Sequence, residues 1–427
     1  MRIGIAGGGL AGLTLAWLLD GYHDIVLLEA RPRLGGSAES LSARSGGGTH
    51  AVDLGVRETA PDAFPVWRHV AAELGFTADD LVTSRATRTL LRPGEAAPVW
   101  VSPAGPAPGG RPVTGHGPSR RALDHFSAEA ARWQTEEMSW DVTLGELAQR
   151  WPPPVRAQAD LLFALPASLH GCRVEEARGL SARAAGAPFA HAEREGTPQV
   201  TYLRDGAAAL PAALAGATQG ATMRVGAPLR AVSADGAGFA LIDMVGGVHP
   251  VDAVVLALPA DRAREVLVPL ADTEDVRATL GAIPYRTLTY ALHGDPFGMP
   301  DDRAAWSTTN TSVHEGWSET TTWYGPSFGT DLFVSQLTHR PHRPRRELAR
   351  ATYRTALPTP GATRARRRLA TGGGSRRLFF AGHCTTPIDT QEAAMASAVT
   401  VATQLAPDAD RLRRLHNDVK GKSNDDS

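Results

Sequence analysis

The chain alternates between two hydrophobic periods, and each change of period marks a new element. Residues 2–6 (RIGIA) are small and apolar and read as a short buried strand. An apolar helical run follows at 13–20, then a second strand at 25–28 closed by Glu29. Residues 49–54 (THAVDL) predict another strand, and 65–74 (PVWRHVAAEL) an amphipathic helix. Between 77 and 118 proline and glycine are dense, with short β-like pieces at 86–91 and 99–102. Helical periodicity returns at 120–137. Thr143 and Glu146 then form a capping box for a helix ending at Arg150. Residues 155–170 read as a further helix that Pro166 must end or kink. The block from 77 to 198 is thus a mostly helical insert.

The α/β pattern resumes near Gln199, with a helix at 207–215, a strand at 223–225 and an antiparallel ribbon from 229–233 and 238–245. A strongly apolar strand at 251–258 precedes a helix at 260–268. Residues 283–340 are β-rich, with strands expected at 286–292, 305–309, 319–324 and 332–337. An arginine-rich helix at 343–354, a loose linker, a buried strand at 377–382 and a small-residue helix at 389–405 complete the pattern. The polar tail beyond Ala406 is expected to be disordered.

The first thirty residues carry the sharpest chemistry. Gly7-Gly8-Gly9-Leu10-Ala11-Gly12 lies between strand and helix as G-x-G-x-x-G. Gly7 permits the tight turn, Gly9 lets backbone amides approach a pyrophosphate, and Gly12 lets the helix pack close to the strand. The helix N-terminus then faces the phosphate with its positive end. Glu29 stands where a carboxylate takes the hydroxyls of an adenosine ribose. Gly35-Gly36, just beyond the second strand, suit another close backbone approach or an ordinary surface turn.

Composition narrows the field. A net charge of −1 gives no electrostatic case for nucleic acid or an anionic membrane. Two cysteines, Cys172 and Cys384, exclude a disulfide framework and suit a reducing cytoplasm. No apolar run reaches membrane-span length. Arg2 ahead of an apolar stretch imitates a leader, but the glycine cluster breaks it and no cleavage site follows. The only lysines are Lys420 and Lys422, so none serves chemistry in the folded body. No metal is expected.

Four separated stretches together resemble the flavin-containing amine oxidase superfamily, which also includes phytoene-desaturase-type enzymes. They are residues 7–36 with the ending LEARPRLGG, the VDLG of 52–55 with the helix after it, MRVGAPLRAV with VDAVVLALP, and LFFAGHCTTPIDTQEAAMASAV. The resemblance implies an α/β fold. A Rossmann-like FAD-binding domain would come from 1–76, 199–283 and 371–407, and an α+β substrate domain from the inserts 77–198 and 284–370, leaving 408–427 as tail. It implies that Gly7, Gly9 and Gly12 hold the pyrophosphate, Glu29 the ribose, and Arg31, Gly35 and Gly36 the phosphate and ribityl path. The backbone of Val225 would meet the adenine, Gly382 would precede the ribityl contact, and Thr390 and Gln391 would start a helix aimed at the flavin C2 carbonyl. Leu10, Ala11, Ala30, Gly55, Val56, Ala257 and His383 complete the implied lining.

The sequence departs from that family at three points. His383 replaces the acid after the last Ala-Gly. Thr289 and Tyr290 stand where many amine oxidases carry a lysine. Thr390 takes the place of one aromatic of the amine cage. Glu58, after Asp53-Leu54-Gly55-Val56-Arg57, is a candidate base or ammonium holder, or else a carboxylate paired with Arg57 or facing water. Arg57 is a candidate for orienting a carboxylate or carbonyl, and Tyr290 for the flavin's substrate side. Trp306, Trp317, Trp323 and Tyr324 are expected as sheet core or, with one face open, as an apolar pocket. Cys384 is expected as a small buried thiol, with flavin attachment as its alternative.

The leading expectation is an FAD enzyme removing hydride from carbon next to nitrogen in an amine, amino acid or amide. Its partners would be a small-molecule substrate and O2 or another electron acceptor, and a homodimer is compatible. The arginine-rich composition points to bacterial specialised metabolism. The alternatives are C–C desaturation of a larger apolar molecule, a flavin-free binding protein of the same architecture, and an NAD dehydrogenase. The signature at 382–398 speaks against the last.

Overall fold

The opening pattern folds as read. In the computed structural model, which describes residues 1–92, 98–102, 118–190 and 199–425, strand β1 (Arg2–Ala6) turns into α1 (Leu10–Leu19) and returns as β2 (Asp24–Leu28). The hairpin β3 (Ser40–Ser45) and β4 (Gly48–Asp53) precedes α2 (Pro65–Glu73). Strands β5 (Leu81–Arg85), β6 (Arg88–Leu91) and β7 (Trp100–Ser102) lead to helices α3 (Pro118–Thr135), α4 (Leu144–Arg150), α5 (Pro153–Arg156), α6 (Ala159–His170) and α7 (Ala182–Gly186). Next come β8 (Gln199–Leu203), α8 (Ala209–Gly216), β9 (Ala221–Arg224) and the meander β10 (Leu229–Asp235), β11 (Gly238–Asp243) and β12 (Val248–Val251). Strand β13 (Ala253–Leu256) is followed by α9 (Ala260–Val266) and α10 (Glu274–Gly281). A β-rich region holds β14 (Tyr285–His293), β15 (Thr309–His314), β16 (Trp317–Trp323), α11 (Gly325–Phe328), β17 (Phe333–Gln336) and β18 (Glu347–Ala356). The chain ends with α12 (Pro360–Gly372), β19 (Leu378–Phe380), α13 (Gln391–Leu405) and α14 (Asp410–Asp425).

Two sheets organise these elements. The first is parallel, in the order β19-β13-β1-β2-β9, so distant parts of the chain meet at one carboxyl edge. Strand β1 lies between β2 and β13, where strand order reverses, and such switch points form ligand crevices. Every residue of α1 is buried, because α13 packs over the face turned away from the sheet. The second sheet, β18-β14-β17-β16-β15-β6-β7, is mainly antiparallel, with β6 and β15 parallel. Helix α6 packs against β15 and β16, and the cluster of α3 to α7 forms its own apolar core. No helix among the described residues is long and apolar enough to cross a membrane.

Four expectations are overturned. The arginine-rich stretch at 343–354 is no helix: β18 pairs along its length with β14, Tyr353 faces inward, and Arg350 and Arg354 face out. Arginine tolerates a helix, but inward–outward alternation along an edge strand decides the outcome. The linker ahead of 377 contains α12, whose N-cap Thr359 accepts a hydrogen bond from the Ala362 amide at 3.2 Å, with Pro360 at the first position. Ala362, Ala365 and Leu369 are buried at helical spacing. The tail is ordered as α14. Leu412 and Leu415 are buried against α2, Arg414 pairs with Glu73 at 2.9 Å, and Asp418 meets His69 at 3.1 Å. The strand expected at 305–309 starts instead at Thr309, after a single turn at Arg303–Ala305. Parts of the proline-rich stretch (93–97, 103–117) and of the helical insert (191–198) lie outside the described residues. Elsewhere in the insert the capping box forms, with Glu146 accepting from the Thr143 amide at 2.7 Å.

Candidate active site

The β1–α1 turn is built for close approach. Gly7 has φ +106°, and a Cβ there would meet the Ala257 carbonyl oxygen at 2.3 Å. A Cβ on Gly12 would stand 1.9 Å from the Gly7 oxygen, whereas one on Gly9 would meet only Gly36 Cα at 3.8 Å. So Gly7 and Gly12 hold helix to strand, and Gly9 leaves room in front of the helix N-terminus. Its start, Leu10 and Ala11, points amides at that gap. The Glu29 carboxylate accepts from the Gly8 amide at 2.7 Å and the Arg31 amide at 2.8 Å, fixing it at the end of β2. Arg31 donates to the Gly36 carbonyl at 2.9 Å, and Gly35 donates to Gly8 at 2.7 Å. These bonds fold 29–36, Ala30 included, back over the glycine turn.

Other predicted residues gather at the same sheet edge. Beyond β9, Gly226 and Ala227 donate to the Arg31 and Glu29 carbonyls, leaving the backbone of Val225, just before them, unpaired among the described residues. Gly382 and His383 follow β19, and the Gly382 amide is held by Ser397 Oγ at 2.7 Å. Thr390 caps α13 through a bond from the Ala393 amide at 3.0 Å, leaving the first amides of the helix free of partners within it. The Gln391 side chain does something the sequence did not suggest. Its amide donates to the Glu58 carbonyl at 2.8 Å and accepts from Trp67 Nε1 at 3.2 Å. Glu392 accepts both the Val66 and Trp67 amides, at 3.0 and 2.9 Å, capping α2. Gly55 is required by packing: a Cβ would meet the Ser37 oxygen at 2.1 Å, and Val56 donates to that oxygen at 3.0 Å. Cys384 is fully buried and its thiol is pushed up to about 12 by burial, so it is an inert core residue.

The loop 53–59 brings the catalytic candidates together. Arg57 lies over the Tyr290 ring at 5.1 Å and donates to the Leu54 carbonyl at 3.4 Å. Glu58 is exposed and forms no ion pair with Arg57 among the described residues, although its charge reaches Arg57, Arg88, Tyr202 and Tyr324. Burial raises the Tyr290 and Tyr324 phenols, so both stay neutral donors at working pH. Of the expected aromatic set, Tyr324 alone joins this group, its ring 5.3 Å from Tyr202. Trp306 and Trp323 pack with Met299 and Phe333 on the far side of the sheet, and Trp317 stacks on His339 at 3.5 Å.

Asp53 anchors the loop. It is buried, accepts from Ser40 Oγ at 2.5 Å and the Ala207 amide at 2.9 Å, and burial raises its pKa from 3.8 to about 7. The folded carboxyl keeps its proton up to about pH 7 while the unfolded one loses it near 3.8, so stability falls as pH rises through that window. Asp53→Asn is expected to flatten a slope on the order of 2–4 kcal/mol. Urea midpoints at pH 5 and pH 8 measure it, and parallel profiles for the two proteins would refute the assignment.

The family model for flavin-containing amine oxidoreductases matches residues 10–295 of this chain. The chain belongs to that family. Like other members of this amine oxidoreductase family it is an FAD-dependent oxidoreductase, and the open approach at Gly9, the fixed Glu29 and the free start of α13 fit FAD. Wild-type putrescine oxidase bound to putrescine is similar over 95% of this chain and 99% of its own, with a TM-score of 0.65 and 13% identity. A fatty acid isomerase from P. acnes that produces CLA has a TM-score of 0.65, 12% identity and coverage of 95% and 98%. A protein from Exiguobacterium sp. 255-15, provisionally named a protoporphyrinogen oxidase, has a TM-score of 0.62, 17% identity and the same coverage. At these identities the likeness is one of fold. No curated protein matches the chain in sequence.

Proposed function

We propose that this amine oxidoreductase oxidises a carbon–nitrogen single bond to an imine, with the Glu58 loop as its substrate-side machinery. The observation that carries this is the 2.8 Å bond from Gln391 to the Glu58 carbonyl, which ties the loop to the start of α13. The substrate gives up a hydride from carbon and a proton from nitrogen. Bound FAD supplies the acceptor for the hydride. Glu58 takes the nitrogen proton, Arg57 and Tyr290 orient the reacting group by charge and hydroxyl, and the α13 N-terminus favours negative charge at its end. Gly7, Gly9, Leu10, Ala11 and Gly12 would hold the pyrophosphate, Glu29 the ribose, and the Val225 backbone the adenine. Residues 1–76, 199–283 and 371–407 serve as the cofactor domain in this reading, and 77–198 with 284–370 as the substrate domain. The likeness to putrescine oxidase, whose own ligand is an amine, supports it.

Anaerobic bleaching of the bound flavin across amines, amides and polyenes tests the reading. Amines or amides should bleach it. Bleaching by polyenes alone would replace this reading with desaturation.

A further inference from the structure

Among the described residues, Arg88 on the inner face of the large sheet has no hydrogen-bonding or ionic partner. Strand β6 runs parallel to β15, so Arg88 lies level with Thr309, which faces Thr322 on β16. Thr322 faces Val334 on β17, and Val334 faces Leu292 on β14. Cross-strand partners share a face, and so do residues two apart on one strand. Arg88 therefore projects from the same face as Tyr290, the face that Arg57 covers. Its guanidinium rests over the Phe189 ring at 5.2 Å and has no hydrogen bond or ion pair among the described residues.

Other deeply set arginines have partners. Arg340 stands 3.8 Å from Glu319, Arg366 stands 3.2 Å from Asp389, and Arg57 has the Tyr290 ring and the Leu54 carbonyl. Among the described residues Arg88 has only the more distant charge of Glu58, which opposes the lowering of its pKa by burial. A half-buried guanidinium stacked on a ring, with its nitrogens still reaching solvent, keeps its donors available to a ligand. Its planar fork matches a carboxylate in two parallel bonds, and stacking on an aromatic ring holds that plane in place. Glu58, whose charge reaches Arg88, has no ion pair among the described residues. The two together complement a molecule that is anionic at one end and cationic at the other.

We infer that Arg88 is a substrate-binding residue that takes a carboxylate, so the enzyme prefers amino carboxylic acids to plain amines. The amine end of this inference rests on the function proposed above; the carboxylate end rests on Arg88 alone. The probes are a series of straight-chain alkanoates, the matched alkanamides, alkylamines and ω-amino alkanoates, applied to the flavin-loaded protein. Calorimetry and perturbation of the flavin absorption band report binding without turnover. In the wild type an alkanoate should bind at least about tenfold tighter than its neutral amide. R88M should abolish that preference, and R88K should keep part of it. In turnover, R88M should raise KM for the ω-amino alkanoate about tenfold or more and shift KM for the alkylamine far less.

Equal binding of acid and amide by the wild type overturns the assignment, as does a preference that survives R88M. Should R88M fail to fold, the wild-type preference and its reduction in R88K decide. An Arg88-dependent preference for alkanoates with no reduction of flavin by any amine upholds the carboxylate site and removes the amine reading. Oxidation of amines with no role for Arg88 does the reverse.

Discussion

Glu58→Gln is expected to leave flavin content intact and to slow anaerobic flavin reduction by about 10²–10⁴-fold, the span general-base groups contribute. The substitution keeps size and shape, and the backbone carbonyl that Gln391 holds is untouched. Loop position should therefore survive while proton acceptance is lost. The carboxylate is exposed and forms no ion pair among the described residues, which makes a folding defect unexpected. Stopped-flow absorption with the best substrate measures the rate, and visible absorbance per chain measures the flavin. Reduction at the wild-type rate would remove Glu58 from the chemistry.

Gly12→Ala is expected to destroy cofactor binding while sparing the seven-stranded sheet. The added methyl would stand 1.9 Å from the Gly7 carbonyl oxygen, so α1 must move off the strand. Helix α1 is buried on every side and has no room to retreat. Overpacking of this kind costs about 1–3 kcal/mol or more, and the displaced N-terminus no longer points its amides at the pyrophosphate. FAD affinity should fall at least about 100-fold, near the upper end of that range. Fluorescence titration of apoprotein with FAD reads it, and a variant that loads normally would show that the turn is not the phosphate cradle.

What was legible in the sequence was local. The turn from Gly7 to Gly12, the acid at Glu29 and the capping box at Thr143 each declare themselves within a few residues, because their geometry depends on immediate neighbours. Strand β18 did not, since Arg350 and Arg354 suit a helix equally well and only pairing with β14 decides between them. Helix α14 was hidden by a polar composition, although Leu412 and Leu415 already showed the helical interval. Glu58, Arg57 and Tyr290 were found through resemblance, and the structure brings them to one place. Arg88 was missed because its meaning lies in a face shared by several strands. The one local hint was a charged residue opening a short strand that ends in two leucines. The Gln391 side chain was missed for a related reason: its partners, Trp67 and Glu58, are more than 300 positions away.

That last connection makes an empty protein more than an enzyme lacking its redox group. One amide side chain clasps the Glu58 loop, the indole of α2 and the first turn of α13. On the function proposed above, whatever stiffens that turn would stiffen the loop as well, and loading with cofactor would precede recognition of substrate.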